Sequence, residues 1–208
     1  MTSSVSESAL PLPDAAECVV IGGSAGAIDA LRTILSGLPR AFSLPVLIVV
    51  HLPPNERSLL PEIFTPRCLL RVKEAEDKEP LRGGTVYFAP PNYHLLVESD
   101  FTLSLSSDEP VYFSRPSIDV LFESAADAYG SALRAVVLTG ASTDGTAGLR
   151  AVHRVGGLTF VQRPDTAEAP LMPRSAQEAC PGAHSLDLPQ LARELAAMSM
   201  SAIRPASP

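Results

Sequence analysis

The run Leu44–Val50, Leu-Pro-Val-Leu-Ile-Val-Val, contains no polar side chain. A strand with one wet face alternates polar with apolar residues, so a run like this needs cover on both faces. Cys18–Ile21, Thr85–Pro90 and the β-branched Leu133–Gly140 share that character, and Gly157–Gln162 continues it. Between these runs lie segments of helical periodicity: Ala27–Leu38, Ile118–Tyr129, Thr146–Val155 and Leu188–Met198. Buried strands alternating with helices predict an α/β fold, a doubly wound, mostly parallel sheet with helices on both faces. His94–Ser99 and Phe101–Ser106 flank Asp100 and predict an antiparallel hairpin at one edge of that sheet.

At 208 residues the chain suits one domain that buries about 70% of its unfolded surface. We place that domain at 16–195, between a Ser-, Ala- and Pro-rich flexible tail at 1–15 and a C-terminal tail at 196–208. A net charge of −7 with scattered Lys and Arg leaves no basic stripe, which argues against nucleic acid as a partner. No apolar run approaches the roughly 20 residues that span a bilayer, and the N-terminus lacks the basic and apolar regions of a signal peptide. The three cysteines, Cys18, Cys68 and Cys180, are far apart and odd in number. That pattern suits free, buried thiols in a reducing compartment. The expectation is a cytoplasmic protein without membrane insertion.

In doubly wound sheets, function gathers outside the carboxyl ends of the strands. Three polar residues fall there: Ser24 after the first strand, His51 after Leu44–Val50, and Asp144 in the loop after Leu133–Gly140. Each has a bland reading, as a helix N-cap, a strand-end histidine and a turn aspartate respectively. Together they supply a nucleophile, a base and a carboxylate that can orient it. The glycines at 22, 23 and 26 permit a sharp strand-to-helix turn that would display the Ser24 hydroxyl. Pro53 and Pro54 should end the histidine's strand abruptly. Phosphate sites fit less well: Gly22–Ala27 lacks the G-x-G-x-x-G spacing, and no G-K-[ST] follows. His51, His94, His153 and His184 are not spaced with the cysteines as metal ligands. The order Ser, His, Asp differs from that of α/β-hydrolases, which indicates a convergent triad on another sheet.

The same residues lie within blocks that resemble the catalytic domain of the chemotaxis protein-glutamate methylesterases, the CheB family. The blocks are Val19–Leu31, Val49–Pro54, Val86–Val97, Phe113–Ala126, Val136–Leu149 and Met172–Ala176, in order across residues 16–195. The resemblance implies hydrolysis of glutamyl methyl esters on chemoreceptor-type protein helices, often with glutamine deamidation. It assigns catalysis to Ser24, His51 and Asp144. Where the family's turn reads Ser-Thr-Gly-Gly, this chain has Ser24-Ala25-Gly26-Ala27, which keeps the Ala25 N–H. Where Met-Gly-Asn is common, it has Ala141-Ser142-Thr143, which narrows the side chains walling the pocket. Many family members begin with a phosphorylatable receiver domain, and a 15-residue tail is too short to hold one.

The expected chemistry is serine ester hydrolysis with no metal and no organic cofactor, the oxyanion held by the Ala25 and Ala141 backbone N–H groups. Arg115 is a candidate contact for an acidic substrate, or a helix-entry residue. His94 is expected to be structural, His153 and His184 to lie at the surface, and Lys73–Glu79 to form a solvated loop. Two other functions stay open: a serine esterase or amidase acting on another substrate, and a catalytically idle interaction domain in a chemosensory-like pathway.

Overall fold

The computed structural model describes residues 17–52 and 58–201. In chain order the elements are β1 (Cys18–Gly23), α1 (Ala27–Gly37), β2 (Val46–Val50), α2 (Leu60–Phe64), β3 (Arg71–Glu74), β4 (Thr85–Phe88), β5 (His94–Val97) and β6 (Leu103–Ser106). There follow α3 (Ile118–Tyr129), β7 (Leu133–Val137), α4 (Thr146–Arg154), β8 (Leu158–Gln162), α5 (Leu171–Ala179), β9 (His184–Leu186) and α6 (Leu188–Ser201).

Seven strands form one parallel sheet in the order β3-β4-β2-β1-β7-β8-β9. The chain winds outward from β1 in one direction and returns through β7 to wind in the other, so the order reverses at β1 and β7. The period-two geometry of a strand sends neighbouring residues to opposite faces. Val19 and Ile21 accordingly join a core with α1 and α6, whereas Cys18 and Val20 join one with α3, α4 and α5. Leu47 and Val49 against Ile48 and Val50, and Ala135 and Val137 against Val136, divide the same way. Two apolar cores, one on each face, are what unbroken apolar strands require.

The predicted hairpin forms, with His94 opposite Ser106, but as a separate two-stranded sheet rather than an edge of the main one. Its Leu95, Val97 and Leu103 are buried in the core that contains α3. Its apolar residues thus have a helix to cover rather than a sheet to extend. Residues 71–74, in part expected as loop, make the edge strand β3. Charged side chains such as Arg71 and Lys73 suit an exposed sheet edge and hide it from a hydrophobicity reading. Lys73 pairs there with Glu76 at 2.6 Å and Glu79 at 2.9 Å. His184 lies on the short β9, and both it and His153 are exposed. The last helix runs to Ser201, into the expected C-terminal tail. The expected tail 1–15, residues 202–208 and the strand-ending Pro53 and Pro54 lie outside the described residues. All three cysteines are free and buried. Among the described residues no helix is long and apolar enough to cross a membrane.

Candidate active site

Ser24, His51 and Asp144 stand just beyond the carboxyl ends of β1, β2 and β7, three adjacent strands at the point where strand order reverses. Register sets their spacing. Gly23 pairs with Val50 across β1 and β2, and the His51 N–H donates to the Gly23 carbonyl at 3.1 Å. On the other side the Ser24 N–H donates to the Thr139 carbonyl at 2.9 Å. Ser24 is therefore fixed between the other two strands by its backbone.

The loops that carry Ser24 and Asp144 each turn into a helix on a left-handed glycine. Gly26 has φ +77° before α1, and Gly145 has φ +93° before α4. An L side chain at such angles is strained, which explains glycine two residues after Ser24 and one after Asp144. Neither Ser24 nor any other side chain caps α1; the serine instead precedes the cap, and its hydroxyl makes no hydrogen bond among the described residues.

Asp144 is fully buried, and its carboxylate accepts five hydrogen bonds. His51 Nε2–H reaches Oδ2 at 2.8 Å and Ile118 N–H the same oxygen at 2.7 Å. Ser117 Oγ–H at 2.9 Å, Asp119 N–H at 2.9 Å and Gly145 N–H at 3.0 Å donate to Oδ1. An aspartate from the β7 loop thus caps the N-terminus of α3, where free N–H groups and the helix dipole favour a negative charge. Burial alone would push this carboxyl up. The His51 N–H and the Asp119 and Ile118 backbone N–H groups outweigh it and hold the group below the ordinary aspartate range.

Because His51 Nε2 donates to Asp144, Nδ1 is the ring nitrogen left to act as a base. It faces Ser114 Oγ at 3.5 Å, the outer limit of a hydrogen bond. No bond from Ser24 Oγ to His51 forms among the described residues, yet both line one cavity of about 520 Å³ with Ala25 and Glu168. Such serine–histidine bonds are often long until substrate binds. On its other wall His51 meets a second cavity of about 260 Å³, shared with Phe113, Ser114 and Arg115.

The remaining sequence candidates divide. Ala25 lines the serine's cavity, its carbonyl held by Thr139 Oγ–H at 2.9 Å. Ala141 follows Gly140, where a Cβ would come within 3.0 Å of Ser24 Cβ, so the β7 loop closes on the serine. Neither the Ala25 nor the Ala141 N–H finds an acceptor among the described residues. Arg115 borders the second cavity, but its Nη1 donates to the Ser107 and Asp108 carbonyls at 2.7 and 3.0 Å, bracing a loop.

Four residues escaped the sequence reading of the site. Ser117 and Asp119 could have been found as the Ser-x-Asp start of a helix. Asp119 is buried, accepts the Gly148 N–H at 2.7 Å, and so ties α3 to α4. Burial, with Asp144 nearby, raises its carboxyl to about 6. His94, also buried, accepts the Ser117 N–H on Nδ1 at 3.1 Å and donates from Nε2 to the Glu109 carbonyl at 3.1 Å. It is structural as expected, but it braces the Asp144 cradle. Ser114 carried no signal at all.

The CheB methylesterase family model matches residues 19–195. The chain belongs to the CheB methylesterase family. A relative from Leptospira interrogans is 50% identical over 176 residues, covering 85% of this chain and 91% of that one. The protein-glutamate methylesterase/protein-glutamine glutaminase of Archaeoglobus fulgidus is 37% identical over 164 residues, and the match spans 47% of its length. The crystal structure of the Thermotoga maritima CheB methylesterase catalytic domain superposes with a TM-score of 0.83 at 32% identity, over 88% of this chain and 98% of that one. The family's fold is thus the one the apolar strands predict.

Proposed function

We propose that this chain hydrolyses glutamyl methyl esters on the helices of chemoreceptor-type proteins, and deamidates glutamine there by the same route. The observation that carries the reading is the His51–Asp144 pair at 2.8 Å opening onto the cavity that Ser24 lines.

His51 Nδ1 takes the Ser24 Oγ proton as that oxygen attacks the ester carbonyl. Asp144 keeps the ring in the Nε2–H tautomer and steadies the imidazolium that forms. The Ala25 and Ala141 N–H groups hold the developing oxyanion; one such donor typically contributes about 10²–10³-fold. The C–O bond to the methoxy group then breaks, and methoxide leaves as methanol with the proton from His51. Water repeats the sequence on the glutamyl-serine ester and frees the glutamate carboxylate. In glutamine the leaving group is ammonia. Arg115 supplies positive charge beside the second cavity for acidic residues flanking the ester.

Methanol release from receptor methylated in vitro tests the reading. Wild type should release it, and Ser24→Ala should lose about 10⁴-fold or more while unfolding at the same denaturant concentration. Equal release by both proteins would remove Ser24 from the mechanism, and turnover of small esters alone would point to a different substrate.

A further inference from the structure

We infer that the tight turn at Tyr112 and Phe113 is the element that seats the substrate protein, an inference that rests on the function proposed above. Val111 and Ser114 close this turn with reciprocal backbone hydrogen bonds of 3.1 and 2.8 Å. Its two central residues have φ +47° and +62°. Two consecutive left-handed residues suit a hairpin turn whose usual occupants are Asn-Gly, not two aromatics. Phe113 is nevertheless 104% exposed and Tyr112 57%. Nothing among the described residues explains either choice: backbone preference opposes both side chains, and the Phe113 ring gains no burial from them.

The segments flanking the turn are braced. Arg115 ties its outgoing segment to the Ser107 and Asp108 carbonyls, and His94 ties the incoming one through the Glu109 carbonyl. Phe113 and Ser114 wall a cavity together with His51, and His51 and Leu52 are shared with the cavity of Ser24. A polypeptide that delivers a side-chain ester to Ser24 therefore lies alongside this turn. The partner chemistry that fits is an apolar residue about one helical turn from the esterified glutamate, packed on the Phe113 ring. Aromatic side chains are frequent energetic centres of protein interfaces.

The test replaces the turn by its own preferred sequence. The double variant Tyr112→Asn/Phe113→Gly satisfies the backbone better, so its melting temperature should stay level or rise. Its kcat/KM on methylated receptor, divided by that on p-nitrophenyl acetate, should fall about 10-fold, mainly through the receptor KM, and Phe113→Tyr should keep the wild-type ratio. An unchanged ratio in an enzyme that demethylates receptor overturns the docking role alone. Equal losses on both substrates overturn it as well, because the turn would then act on the cleft. If wild type turns over the small ester but releases no methanol from receptor, the proposed function fails and this inference with it.

Discussion

Asp144 and Ser24 occupy equivalent places, each just past a strand and just before a helix that starts on a left-handed glycine. Their surroundings differ sharply. The aspartate is fully buried and has five donors on two oxygens, three of them backbone N–H groups that only unfolding would withdraw. The serine is partly exposed, and its hydroxyl has no partner among the described residues. One half of the site is thus completed by folding and the other half by substrate. A group that must keep one charge and one orientation belongs in a rigid cradle, because water cannot then relax around it. A hydroxyl that must move to a carbonyl carbon is left free of the tight cradle that holds the carboxylate.

Asp144→Asn strikes the finished half and should have the largest effect of the changes made within that half. An amide offers one acceptor oxygen where five donors converge, so at least one N–H of α3 or of His51 meets an NH₂ group. We expect kcat/KM for methanol release to drop about 10⁴-fold. Stability should fall by about 1–3 kcal/mol, from leaving a buried donor unpaired. Denaturant unfolding measures the second quantity. A variant that lost activity at full stability would show that the cradle serves catalysis without holding the fold together.

The same contrast explains what could be read from the residues alone. Ser24, His51 and Asp144 were legible because each follows a strand whose apolar run marks its own end. The sheet was legible because Leu44–Val50 and Leu133–Gly140 admit no wet face. The cradle was not. Ser117, Asp119 and His94 reach Asp144 or its neighbours across sequence gaps of 27, 25 and 23 residues between the bonded pairs, and no local pattern encodes such pairings. The edge strand β3 was hidden because its charges imitate a loop, and the hairpin's placement was missed because alternation alone does not say what the apolar face will cover.

Ser117→Ala removes one donor of the five and leaves the backbone cradle in place. The loss should be correspondingly small: about 1 kcal/mol of stability and a roughly 10-fold lower kcat, with KM unchanged. The kcat–KM split is the informative measurement. A KM effect of the same size would mean that Ser117 shapes the substrate cavity rather than orienting the carboxylate.

Asp119→Asn should have the smallest effect on turnover, and it separates charge from geometry within the finished half. Asp119 has its carboxyl raised to about 6, against about 3.9 in an unfolded chain. Between those values the folded protein holds a proton that the unfolded chain has released, so this group makes stability fall as pH rises from about 4 to 6. Above pH 6 the penalty levels off, at a ceiling of about 3 kcal/mol. The depressed carboxyl of Asp144 works in the opposite sense, adding stability that is lost only as pH falls below the ordinary aspartate range. Asparagine keeps an oxygen to accept the Gly148 N–H but carries no charge at any pH. Urea unfolding followed across pH 4–8 should therefore show a flatter profile for the variant, which gains on wild type toward neutral pH. Parallel profiles would mean that the Asp119 charge is met by a favourable partner, and that the two carboxylates of the cradle do not oppose each other.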